Sequence, residues 1–237
     1  MTTPCPASKP DLRCAPGSAR GLVAALVLVL AGCGSQPVPP DWQTNAKSAI
    51  EEAMQAHLRG DTRLETLAYQ RARAEVARTG RPDLAARVEL MRCAAHVAGL
   101  AFEPCAGFEK LRIDAAPAEA AYAAYLEARP LPREQVERLP ASHQAPAAAL
   151  AGGVFTAPQL QAIEDPLSRL IALAVLFRAG KADPAMIALG ADTASAQGWR
   201  RPLLAWLEVQ ALHADKAGDA GEAQRLRRRI ELVTRAR

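Results

Sequence analysis

Cys93-Ala94-Ala95-His96 is the stretch of this chain that most resembles chemistry, because it sets a thiol and an imidazole about one helical turn apart. A zinc site built on them would need further ligands, and none stands nearby in sequence. Covalent haem attachment needs Cys-x-x-Cys-His, and the second Cys is missing. The other histidines, His57, His143 and His213, stand apart from any Ser, Asp or Cys pattern used in nucleophilic catalysis. Carboxylates occur mostly beside Arg at helical spacing. Arg71 with Glu75, and Glu65 with Tyr69, read as solvated faces or i,i+4 pairs. There is no Gly-x-Gly-x-x-Gly, Walker loop or His-Glu-x-x-His, and Gly152-Gly153 reads as a turn. These residues assign no catalytic group, no metal ligand and no cofactor, and the expectation is a protein that is not an enzyme. An enzyme on this chain would need a polar cleft assembled from distant residues, where His57, His96 or His213 meets an Asp or Glu.

The elements that would position such residues read as helices. Alanine supplies 53 of 237 residues and aromatics only 4%, while strand formers are sparse, so the fold class is all-α. Half the residues are hydrophobic, enough for a sizeable core. A balance of 29 basic and 25 acidic residues falls short of a nucleic-acid binder, and no nucleic-acid partner is expected. Helices are expected from Trp42 to Leu58, from a Thr62-Arg63-Leu64-Glu65 capping box to near Gly80, from Pro82 to Ala98, and from Pro117 to Arg129. Residues 99–116 are less regular. Asp165-Pro166 and Asp183-Pro184 are N-caps followed by proline at the first helical position. Leu167–Phe177 is apolar almost all round and must be buried by several neighbours. Arg200–Lys216 and Gly221–Arg235 complete the set, with Asp219 and Glu222 capping the last. The arginines at 225, 227, 228, 229, 235 and 237, on and just after it, read as a solvated face near a helix end rather than a contact for anionic lipid. Trp206 reads as core, as does Trp199, although its place at a helix junction would also suit a groove.

The front of the chain carries a different signal. Lys9, Arg13 and Arg20 precede an apolar run, Gly21–Ala31, that is too short to span a bilayer but fits a secretory h-region. It ends in Leu30-Ala31-Gly32-Cys33, which resembles the lipobox of bacterial lipoproteins. That resemblance implies a diacylglyceryl thioether on Cys33, cleavage before it, and acylation of the new amino group. A thiol is needed because a thiolate is the competent nucleophile. Residues 1–32 would then be a cleaved signal peptide, and the mature chain would hold 26 basic and 24 acidic residues. Gly34 after the Cys implies, by the same resemblance, lipid anchoring in the outer membrane of a Gram-negative cell, facing the periplasm. Two or more acyl chains anchor stably where one does not. In that oxidising compartment Cys93 and Cys105 can form a disulfide, if the loop after the third helix folds back over it.

The expected organisation is a lipidated Cys and Pro-rich tether over 33–41, a helical region over 42–129, a Pro/Ala-rich linker over 130–153 with a short helix near Arg133–Arg138, and a helical region over 154–237. The fold expected is a set of antiparallel helical hairpins. Residues 165–236 resemble a tetratricopeptide helix pair, carried by Ala205-Trp206-Leu207, the Gly218-Asp219 turn, Ala223 and Leu226. That resemblance implies an α-solenoid with a concave binding surface. The function expected is a membrane-tethered interaction or scaffold module, with an envelope protein as partner. A carrier with an apolar pocket between helices is the alternative.

Overall fold

The computed structural model describes residues 39–235. Cys33, the rest of the leader and most of the tether lie outside the described residues. Among the described residues there are helices and no strands, so the protein is all-α. The helices are α1 (Asp41–Arg59), α2 (Thr62–Ala77), α3 (Pro82–Ala98), α4 (Ala106–Glu109), α5 (Pro117–Leu126), α6 (Arg133–Val136), α7 (Ala141–Leu150), α8 (Ala157–Gln161), α9 (Pro166–Arg178), α10 (Pro184–Ala196), α11 (Arg200–Lys216) and α12 (Ala220–Arg235). A 3-10 turn, Arg112–Asp114, joins α4 to α5. None is long and apolar enough to cross a membrane.

The punctuation works locally as its chemistry demands. Asp165 accepts the Ser168 N–H at 2.7 Å, and Asp183 accepts that of Met186 at 2.8 Å. Asp219 accepts from Glu222 N–H at 2.9 Å. Each satisfies a donor that the first helical turn leaves free. At the start of α2 the cap differs from the expected one. Asp61, not Thr62, is the N-cap and accepts from Leu64 N–H at 2.9 Å. Its carboxylate competes successfully with the neighbouring hydroxyl, and Thr62 is left to engage a different element.

The stretch 130–153, expected as a linker, holds α6 and α7 instead. His143, Pro146, Ala147, Ala149 and Leu150 of α7 are buried, and Leu131 and Leu139 join the same core. Prolines mislead here because Pro132 and Pro140 act as N-caps, where a missing N–H costs nothing. Of the four prolines in this stretch, only Pro146 lies inside a helix.

The main core is built around α9, whose residues Leu170 to Leu176 are all buried, as its all-round apolar pattern requires. It packs on α3, α7 and α10. The α10–α11 contact is close because Gly190 faces the Trp206 indole. A Cβ at Gly190 would stand 2.5 Å from the ring. Trp206 is fully buried, donates to Ala98 O at 3.3 Å and meets Phe177 edge-on. A second core cluster lies in the α1–α2 hairpin and includes Ala53, Ala68, Tyr69 and Ala72.

Candidate functional site

One end of the bundle gathers four helix termini. Gly60, at φ 90°, closes α1 in the left-handed conformation that glycine adopts freely, so α2 starts two residues later. This puts His57, in the last turn of α1, beside Glu65, in the first turn of α2. His96 comes from the last turn of α3. The fourth contributor travels farthest in sequence. Buried Trp199, just before α11, donates its indole N–H to Gln55 of α1 at 3.2 Å. That contact fixes the start of α11 against α1 and delivers Arg201.

Glu65 is the centre of the cluster and is almost wholly buried. Its Oε2 lies 3.1 Å from His57 Nδ1 and accepts from Arg201 Nη1 at 3.0 Å. Its Oε1 lies 3.1 Å from His96 Nε2. Arg92 stands farther off, at 3.9 Å. The imidazoles of His57 and His96 stack with centroids 4.0 Å apart. Arg201 Nη1 also lies 2.5 Å from His57 Nδ1, and its Nη2 donates to Thr62 Oγ1 at 3.0 Å. With the guanidinium donating to Nδ1, the proton of a neutral His57 sits on Nε2, a buried atom with no hydrogen-bond partner.

The electrostatics follow from burial and neighbours. Burial, with the added repulsion of His96 and Arg201, pushes His57 down to about 4, against the pull of Glu65. Burial also works to raise the Glu65 carboxyl. The positive charge His57 would carry once protonated, with the hydrogen bonds from Arg201 and His96, outweighs it and holds Glu65 below its ordinary range. At neutral pH the cluster is therefore a carboxylate beside a neutral His57.

These groups floor a cleft of about 730 Å³. Its walls include Glu89, Phe102, Glu103, Glu127 and Arg178, and its side is braced by the disulfide between Cys93 and Cys105, with Cα atoms 5.8 Å apart. The expected pairing of these cysteines is thus present. It consumes the Cys93 thiol, so Cys93 and His96 do not act together. His96 finds its partners across space, on α1 and α2.

Several expectations change at this point. Glu65 and Tyr69, read as a solvated pair, are both buried. Arg71 pairs with Glu52 across the hairpin rather than with Glu75, which instead meets Arg78. Trp199 and Trp206 are core, as expected. His213 is exposed and stands apart from the cleft. His143 is buried between Tyr122 and Tyr125, at 5.5 and 5.2 Å between centroids. Of the three histidines named for a long-range site, two therefore meet a carboxylate. Sequence spacing gave no signal for this, since Arg201 is 136 residues from Glu65.

The cleft holds no activated nucleophile. Its two cysteines are oxidised to the disulfide. Thr62 accepts from Arg201, and Thr66 donates its hydroxyl to Thr62 O at 2.8 Å. What the cluster can supply is a buried carboxylate and imidazole nitrogens, which are donors for a cation or acceptors for a bound group. Glu65, His57 and His96 each offer one ligand atom, all within 4.8 Å of one another.

A second depression, of about 1110 Å³, opens between α1, α3, α5, α7 and α9. Trp42, Ile50, Met54, Leu84, Met91 and Leu167 make its lining largely apolar. Comparison with protein-family models, curated proteins and solved structures finds no match to this chain.

Proposed function

We propose that the protein is a lipid-anchored helical module of the cell envelope, held in the outer membrane through Cys33 and facing the periplasm. Its domain recognises an envelope protein and performs no covalent chemistry. The observation that carries binding over catalysis is the state of the cleft floor. Glu65 is ionised and already engaged by Arg201, and neither threonine hydroxyl nor cysteine is activated beside it. Anchoring is supported by the lipobox-like Leu30-Ala31-Gly32-Cys33. The Cys93–Cys105 disulfide supports an oxidising compartment. Hairpins such as α11–α12, which carry the residues of the tetratricopeptide resemblance, are suited to presenting such a surface.

A second reading is favoured by one observation. The apolar depression lined by Trp42, Ile50, Met54 and Met91 has the size of a small-molecule or lipid site, so the domain would carry such a ligand. The test is crosslinking in living cells, with Cys33→Ala as the unanchored control. A discrete envelope partner, captured by the native protein and lost in the control, is the expected result. An abundant, folded protein that captures none overturns the module and leaves the carrier, which native purification with bound ligand would reveal.

A further inference from the structure

We propose that His57, Glu65 and His96 form a binding site for one divalent transition-metal ion of the zinc class, in which Arg201 holds the ion's place until it arrives. The inference goes beyond the anchored module and does not depend on it. The donor set is two imidazoles and a carboxylate, the ligand types that zinc takes together while leaving a fourth position open. Here that position faces the cleft. The spacing suits an ion. His57 Nδ1 lies 3.1 Å from Glu65 Oε2 and His96 Nε2 lies 3.1 Å from Oε1, with one ligand atom from each residue within 4.8 Å of the others. Ligands about 2.0–2.1 Å from a tetrahedral ion stand roughly 3.3 Å from one another.

The position of Arg201 is the second observation. Its Nη1 sits 3.0 Å from Glu65 Oε2 and 2.5 Å from His57 Nδ1. A cationic nitrogen therefore occupies the point on which the carboxylate and imidazole lone pairs converge. A metal ion would take that point, and the guanidinium would swing outward. Its side chain is a third exposed and so has room to do this. Two imidazoles stacked at 4.0 Å hold their lone pairs in nearly parallel planes. Each must turn about χ2, a broad torsion, to face one ion. The three ligands come from three helices whose ends are fixed, by Gly60 between α1 and α2 and by the disulfide on α3.

The test is titration of the purified full-length protein with Co(II) and Zn(II), read by Co(II) absorption in the visible and by calorimetry. The expected result is one ion per chain, with tetrahedral Co(II) absorption that Zn(II) displaces. His57→Ala and His96→Ala should each weaken binding by more than about 100-fold, beyond the loss seen for outer-shell partners. His96 is a third exposed, so its variant is the one least expected to disturb folding, and circular dichroism checks each variant. Arg201→Gln is the discriminating change. As a placeholder, Arg201 competes with the ion, and its removal should tighten binding. Were the cluster an ion-pair lock alone, Arg201→Gln would melt earlier and bind nothing. Absence of saturable binding in both the native protein and Arg201→Gln overturns the proposal, as does binding that survives His57→Ala and His96→Ala.

Discussion

Glu65 exchanges water for four nitrogen-bearing side chains, and the consequences can be weighed residue by residue. Breaking a buried charge pair by removing one partner costs about 3–5 kcal/mol when both are buried. Arg201 is a third exposed and recovers part of its hydration, so Glu65→Gln should cost nearer ~2 kcal/mol. A shift of the urea midpoint at unchanged slope measures it, and a change within ~0.5 kcal/mol would mean the cluster adds nothing to the fold. His143 gives the clearest pH prediction. Burial between two tyrosines pushes it down to about 4, with Asp165 opposing. The folded state keeps the imidazole neutral, whereas the unfolded chain takes up a proton below 6.5. Its contribution is whole above pH 6.5 and is lost as pH falls from there toward 4, up to ~3 kcal/mol. His143→Leu should make the stability profile shallower between those values, leaving the share that His57 contributes, and an equally steep acid limb would contradict the assignment. Neither residue was legible in sequence. Glu65 stands among arginines that suggest a wet face, and its burial depends on α11 returning over the α1–α2 hairpin. His143 lay among prolines that suggested a linker.

At the scale of elements, the helices punctuated by local chemistry could be read directly. Asp165-Pro166, Asp183-Pro184 and Asp219 mark starts because a carboxylate satisfies free N–H groups within three residues. The Arg200–Lys216 span also agrees with its structure residue for residue. α7 could not be read, since its burial is set by α9 and not by its own pattern. The α10–α11 contact was equally hidden, because a helical glycine signals nothing until its neighbour is known. Gly190→Ala drives a methyl into the Trp206 ring, and overpacking of this kind costs about 1–3 kcal/mol. Thermal unfolding should show the loss, while Ala in place of Gly on a free helix would stabilise. Lower stability is thus the sign of the indole contact, and a raised midpoint would refute it. The disulfide belongs to this scale too. It closes 12 residues between α3 and the start of α4. Loops of this length confer about 3 kcal/mol by chain entropy. Replacing both cysteines by alanine should lower stability by about that amount, and added reductant should then have no further effect.

For the whole molecule, the all-α class followed from composition, and the long helices followed from their caps. The way α11 folds back on α1 did not, and it is what brings Arg201 to the cleft. Residues at 57, 65, 96 and 201 meet because four helices end at one place, a property of topology that no window of sequence contains. The resulting surface offers two faces of opposite character, a polar cleft floored by Glu65 and an apolar depression beside Trp42. In the proposed reading, an envelope partner would seat in the polar cleft rather than on the apolar depression. The direct measurement places a photo-crosslinking side chain at exposed Glu103, on the cleft, and separately at exposed Lys47, beside the depression, in cells that keep Cys33. A discrete protein adduct from position 103, absent from position 47, is the predicted result. Adducts from position 47 with none from position 103 would contradict it and move the binding face to the apolar depression.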